Sequence, residues 1–279
     1  MEQENYERFE SAQRYAWSWS FAVPGFEPVL AELRESPPER TGSEGLINVS
    51  SGKFVWHLHQ RGADRDYDFA YKIQLGKTPW RYLFRPSLPV REIRNYLMFA
   101  AVGIPVPEVL GVGEVRRFFV LRESYLMTGF IENSSDGRLF MPRGKFRRDT
   151  ERKLAYCRAH LELLARIHDH CIFHKAFHPR NLLWRDGAQG MEVFWIDVAR
   201  CRKVSAGKLA RAAVVDLHTF FRDMQLRRSE VKPLLEHYLA CLRHPIAGLP
   251  ADADGLMDAL IHFRRRLFSD KQYTLFDPE

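Results

Sequence analysis

Apolar positions along the chain fall into short alternating runs over the first half and recur every three or four residues over most of the second. Leu46-Ile-Asn-Val-Ser, the polar Ser51-Gly52-Lys53 and Phe54-Val-Trp-His-Leu-His-Gln60 predict a β-hairpin. Residues 61–68 form the next turn, and Phe69-Ala-Tyr-Lys-Ile-Gln74 a third strand. Residues 89–103 switch to helical spacing. Val90, Ile93, Leu97, Met98 and Ala101 share one face, Gly103 is a stop, and Ile104-Pro-Val-Pro disfavours continuation. Residues 109–114 and 117–128 predict two more strands. Helices are predicted at 149–170, 208–225, 229–243 and 252–269, with one small hairpin at 182–197. In the first of these helices Leu154, Cys157, Leu161, Leu164 and His168 define the buried face. The fold class is α+β: a small antiparallel-sheet lobe with one helix at residues 46–128, then a larger, mostly helical lobe at 129–279. Residues 1–45 read as an N-terminal extension. Tyr6, Phe9, Tyr15, Trp17 and Trp19 make it aromatic, and Pro24-Gly25, Pro28 and the Pro- and Gly-containing run from Ser36 to Gly45 break it up and suggest a linker.

Composition narrows the class. With 279 residues and 46% hydrophobic content, the chain can bury a sizeable core. No apolar run approaches the ~20 residues needed to cross a bilayer. The first residues, Met1-Glu-Gln-Glu-Asn-Tyr-Glu, are acidic without an apolar stretch, so the expectation is a cytoplasmic protein with no secretory leader. The four cysteines are scattered, with no C-x-x-C pair, and fit reduced thiols. Net charge is +7, gathered at residues 143–148 and 200–208, Arg227-Arg228 and Arg264-Arg265-Arg266. Anionic ligands suit that balance. A nucleic-acid partner is not expected, because no nucleic-acid fold signature is present.

Candidate chemistry centres on His174-Lys-Ala-Phe-His-Pro-Arg-Asn181, followed by Leu182-Leu183-Trp184 and Phe194-Trp-Ile-Asp197. A loop, a strand pair and then an acid is the order in protein-kinase-like phosphotransferases. In their H-x-D-x-x-x-x-N loop the Asp receives the proton of the attacking hydroxyl and the Asn holds a metal ion. His174 and Asn181 keep the spacing, but Ala176 stands at the position of the base. His174 and Ala176 are therefore the candidate catalytic positions, and His174 or His178 the groups that could take over from the missing acid. Asn181 and Asp197 are oxygen ligands of the kind magnesium prefers. Lys72 is a lone charge in an apolar strand, and an ammonium there needs a partner. Glu92, in the first turn of the next helix, is that partner: Lys72 would bind ATP phosphates and Glu92 orient it. Gly52 sits in the hairpin expected over the phosphates, and Thr128-Gly129-Phe130 is the hinge expected at the adenine. Asn133-Ser-Ser-Asp-Gly137 reads as a flexible turn. Asp216, in apolar surroundings on a helix, reads as a brace for the loop backbone. The clustered histidines lack an H-E-x-x-H or a cysteine pair, which argues against zinc.

These residues carry a resemblance. Lys72 in Ala-Tyr-Lys-Ile, Glu92 in Val-Arg-Glu-Ile-Arg-Asn, Gly103-Ile-Pro-Val-Pro, the 174–181 loop, Ile196-Asp197-Val-Ala-Arg200 and Val215-Asp216-Leu217 together resemble the lipopolysaccharide kinase family of core heptose and Kdo kinases, over roughly residues 46–226. The resemblance implies a two-lobed protein-kinase-like fold and ATP- and magnesium-dependent phosphorylation of an inner-core sugar hydroxyl. It also implies a lipopolysaccharide core glycolipid as acceptor, at the cytoplasmic face of an anionic inner membrane. The family places its catalytic aspartate where Ala176 stands. Either an introduced substitution has inactivated an enzyme, or a naturally degenerate homologue, a pseudokinase, binds nucleotide or glycolipid without turnover. Aminoglycoside-type phosphotransferases share the fold, but their acidic acceptor pockets suit cationic substrates, and the basic clusters here suit an anionic one.

Overall fold

The computed structural model describes residues 18–39, 44–50, 52–76, 82–83, 85–188 and 190–267, with the side chains of residues 50 and 264–267 excepted. The predicted roles of Tyr6, Phe9, Tyr15 and Trp17, and of the Arg264-Arg265-Arg266 cluster, lie outside that description. The chain divides into two compact units. Residues 1–97 and 107–132 make the first, and residues 98–106 and 133–279 the second.

The first unit is built on a six-stranded antiparallel sheet. Its strands are β1 (Trp19–Ala22), β2 (Leu46–Ser50), β3 (Lys53–Arg61), β4 (Asp66–Leu75), β5 (Val109–Arg117) and β6 (Val120–Gly129), in the order β1-β5-β6-β4-β3-β2. Pairing is continuous from His57 through Ala70 to Thr128, and from Val55 through Lys72 to Leu126. Residues paired in this way point to the same side of a sheet. Along β4, Tyr67, Phe69, Tyr71 and Ile73 are buried, whereas Ala70, Lys72 and Gln74 are only half-buried. The strand therefore has one apolar face and one that carries a cation.

The apolar face is covered by a segment that the sequence reading assigned to an extension. Helix α1 (Glu27–Glu35) buries Val29, Leu30 and Leu33. Phe26, just before it, meets Tyr67 and Phe69 edge-to-face, with ring centroids 5.0 and 5.1 Å apart. Strand β1 pairs antiparallel with β5. Residues 19–35 thus belong to the first unit, and no unit boundary falls at residue 46. Pro28 reads as a breaker in sequence, yet in the first turn of a helix proline is well placed because its missing N–H would be unpaired anyway. Helix α2 (Leu88–Ala101) ends where Gly103 takes φ +74°, a backbone angle glycine adopts at no steric cost.

The second unit holds helices α3 (Thr150–Asp169), α4 (Ala206–Met224), α5 (Arg228–Cys241) and α6 (Ala253–Leu267). Asp149 caps α3 by accepting the Arg152 amide at 3.1 Å. Cys157, Leu161, Leu164 and His168 are buried as the spacing predicts, and Leu154 is only half-buried. The hairpin of β9 (Leu182–Gly187) and β10 (Gly190–Trp195) gains a short third strand, β7 (Ser135–Asp136). That strand replaces the flexible turn expected at 133–137. Ser135 and Asp136 pair with Trp184 and Leu183, and Asp136 also accepts the Arg138 amide at 2.8 Å. A second short pair joins β8 (Ile172–Phe173) to β11 (Arg202–Lys203). Among the described residues no helix is long and apolar enough to cross a membrane.

Candidate active site

In the first unit, Lys72 Nζ lies 2.6 Å from Glu92 Oε2. The strand places the ammonium on the half-buried sheet face, and the second turn of α2 brings the carboxylate to it. Glu92 is 2% exposed, and the Tyr96 hydroxyl one turn on donates to its other oxygen at 3.0 Å. A buried carboxylate held on both oxygens cannot rotate freely, so the lysine is fixed in turn. The pair predicted from the order of strand lysine and helix glutamate is therefore formed.

The other residues predicted around the nucleotide share this unit. Gly52 has φ +80° in the β2–β3 turn, which an L side chain adopts only with strain. Thr128 is buried in the row of His57 and Ala70. Phe130 stacks on His57 at 3.7 Å between centroids and 10° between planes. His57 Nε2 lies 2.5 Å from Asp68 Oδ1, and the Phe130 amide donates to the Asp68 carbonyl at 2.9 Å. His57 and Asp68 lie outside the residues predicted from sequence. The available signal was their strand parity: both point to the Lys72 side.

In the second unit, the loop from His174 to Asn181 is suspended from a buried acid. Asp216, on α4 and without solvent exposure, accepts the amides of His174 and Lys175, each at 2.8 Å. Asp216 is thus the loop brace that its place on an apolar helix predicts. Lys175 has φ +63° and Asp197 φ +54°, values that side-chain-bearing residues avoid. Backbone strain is thus held at two points of the candidate site.

Asn181 is 6% exposed, and its Nδ2 donates to the Ala176 carbonyl at 3.0 Å. The bond orients the amide and leaves Oδ1 as an acceptor. The Ile196 amide donates to the Asn181 carbonyl at 2.9 Å, continuing the β9–β10 pairing and bringing the backbone of Asp197 beside that of Asn181. A carboxylate and an oriented amide oxygen at neighbouring strand ends match the hard oxygen donors that magnesium takes. Among the described residues no group of three or more His, Cys, Asp or Glu side chains is arranged to hold a metal.

His174 requires a correction. It has no solvent exposure and packs against Phe99, Phe177 and Trp195. Burial pushes its imidazole down to about 4, partly offset by Asp216. A neutral ring without access to substrate is a loop anchor rather than a catalytic group. Its Nδ1 accepts the Ala176 amide at 3.3 Å. Ala176 itself is 8% exposed, with no proton-accepting side chain.

His178 differs from His174. It is partly exposed, and its Nδ1 lies 2.7 Å from Asp223 Oδ2. A carboxylate only accepts, so Nδ1 carries a proton, and in the neutral ring Nε2 is then the acceptor. Burial pushes the Asp223 carboxyl up, but hydrogen bonds from His178 and Arg222 outweigh it and hold the group below the ordinary range. Asp223 is not among the residues predicted from sequence. It lies seven residues after Asp216, on the same side of α4, and that two-turn repeat of acids was the legible signal.

Comparison with known proteins fits this arrangement. No curated protein matches the chain. Among solved structures, "WaaP in complex with acyl carrier protein" superposes with a TM-score of 0.56 at 16% identity, covering 81% of this chain and 89% of that one. At that identity the likeness shows the fold, the kinase-like α+β fold that the element order predicted. The sequence model of the lipopolysaccharide kinase (Kdo/WaaP) family matches residues 67–238, a span that runs from β4 through α5 and includes Lys72, Glu92, the 174–181 loop, Asp197 and Asp216. The chain belongs to the lipopolysaccharide kinase (Kdo/WaaP) family.

Proposed function

We propose that the chain is an ATP-dependent sugar kinase of lipopolysaccharide inner-core assembly, transferring the γ-phosphoryl group of ATP to a heptose or Kdo hydroxyl. The observation that carries this reading is the Lys72–Glu92 pair at 2.6 Å, within the span of a kinase family. Phosphoryl transfer needs phosphates clamped, charge neutralised and a hydroxyl positioned, with little covalent help from protein. Lys72, fixed by Glu92, binds the α/β-phosphates. Gly52 lets the hairpin backbone approach them, and Thr128 and Phe130 line the nucleoside. Asn181 Oδ1 and the Asp197 carboxylate would hold magnesium, which when bound would neutralise phosphate charge. The acceptor is a core glycolipid, and the chain works on the cytoplasmic face of an anionic membrane.

The missing acid at Ala176 supports a second reading, a pseudokinase that binds nucleotide without turnover. Within the first reading, His178 Nε2, with the ring fixed by Asp223, is the group left to receive the proton of the acceptor hydroxyl. One experiment separates the two. Mg-ATP should raise the melting temperature in both cases. Labelled phosphate should reach a core glycolipid only if the chain is a kinase, and His178→Ala should then lower the rate. No melting shift with Mg-ATP would remove both readings.

A further inference from the structure

The β5–β6 hairpin ends in Arg117-Phe118-Phe119-Val120, with Arg117 paired to Val120 across a two-residue turn. Phe118 has φ +50° and Phe119 φ +66°. Positive φ at both central residues is the pattern of a type I′ turn, which strongly favours Asn-Gly. Two bulky aromatic residues are a poor choice for that backbone. They are also poorly buried: Phe118 is 69% exposed and Phe119 38%, with Val115 beside them at 39%. Turn chemistry thus disfavours phenylalanine at these positions, and core packing does not call for it at the more exposed Phe118.

The tip is nevertheless firmly built. Arg116 is nearly buried and donates to the carbonyls of Phe119 at 2.9 Å, Tyr82 at 2.8 Å and Arg85 at 3.0 Å, while its Nε bonds Glu114 at 2.8 Å. Glu114 also accepts the Ser87 amide at 2.8 Å and the Trp19 indole at 3.2 Å. Burial pushes the Glu114 carboxyl up, but Arg116 and the Ser87 amide more than offset it and keep it ionised. The hub holds the two rings outward. The Arg117 guanidinium lies 5.8 Å from the Phe118 ring centre, Arg85 shares the Arg116 guanidinium with Phe119 through its carbonyl, Arg122 follows two residues after Val120, and all three arginines are exposed. The acids nearest in sequence are Glu114, which is spent in the hub, and Glu123, which is half-buried.

We propose that this hairpin tip is a lipid-docking element: Phe118 and Phe119 enter the headgroup region of an anionic bilayer while Arg85, Arg117 and Arg122 meet its phosphates. Exposed aromatics on a tip that also carries exposed arginines combine the two attractions that peripheral binding needs, apolar area and opposite charge. The proposal rests on the reading that the chain works at a membrane, and its test uses neither nucleotide nor acceptor, so its failure leaves the kinase reading standing.

The test is co-sedimentation of the full chain with vesicles of phosphatidylethanolamine and phosphatidylglycerol, and with phosphatidylcholine alone. The chain should bind the first and not the second. The variant Phe118→Asn/Phe119→Gly installs the residues the turn prefers, so its melting temperature should hold or rise, while vesicle affinity falls about tenfold or more. Arg117→Glu, which leaves the turn aromatics in place, should weaken binding to anionic vesicles and respond less to salt. The proposal is overturned if the chain ignores anionic vesicles or binds phosphatidylcholine equally. It is also overturned if the double variant binds as the parent does, or if the tip proves to join two copies of the chain or to bind an acidic protein instead.

Discussion

At the scale of single residues, the site separates groups that hold from groups that act. Lys72 and Glu92 are legible in sequence because a lone charge in an apolar strand must find a counter-charge. Lys72→Ala should abolish nucleotide-induced stabilisation, a shift worth about 2.7 kcal/mol at a ligand concentration a hundred times Kd, as read by thermal unfolding with and without Mg-ATP. Ala176→Asp should raise phosphate transfer by about 10²–10⁴ if the rest of the machinery is intact, since that is the range over which a positioned base acts. An unchanged rate in that variant would mean that alanine is not what limits turnover. His174 keeps the spacing of a catalytic loop, but spacing does not reveal burial, and its zero exposure follows from Phe99, Phe177 and Trp195 packing around it. For Asp223 and Asp68 the seven-residue repeat and the strand parity give the face each lies on, but only the tertiary pairing shows which histidine each meets.

At the scale of elements, periodicity recovered what packing repeats and lost what packing decides once. Strands β2 to β6 and helices α2 to α6 were readable because each has a face to bury, and alternation or three-to-four spacing records it. Strand β1 and helix α1 were not, because proline and glycine in residues 24–28 read as breakers and only the aromatic wall of Tyr67 and Phe69 explains the helix. Strand β7 is two residues long, too short to carry a period. The loop brace at Asp216 gives an element-level prediction. Asp216→Asn keeps the size but replaces a charged acceptor of two amides by a neutral one. Stability should fall by about 1–3 kcal/mol, and the His174 and Lys175 amides should exchange faster with deuterium than in the parent. Unchanged exchange at those two amides would show that the loop is held by other means.

At the scale of the whole molecule, charge and burial set how stability responds to acid. His160 and His174 are fully buried, and burial pushes them from the ordinary 6.5 to about 3 and about 4. Unfolded, each would take up a proton as pH falls through 6.5; folded, each resists until nearer 3 or 4. Their contribution is therefore complete above about pH 6.5 and is lost progressively below it, by about 3 kcal/mol each at pH 4. Denaturant midpoints measured from pH 7 down to 4 should show this fall, and His160→Gln should flatten it. The contact between Phe26 and the rings of Tyr67 and Phe69 has a practical corollary for anyone shortening the chain. Cutting at residue 46, where the sequence texture changes, would strip an outer strand and uncover a greasy wall in one stroke. Such a fragment should come out of expression as sticky, ill-defined aggregate, whereas one beginning at residue 18 keeps its own cover.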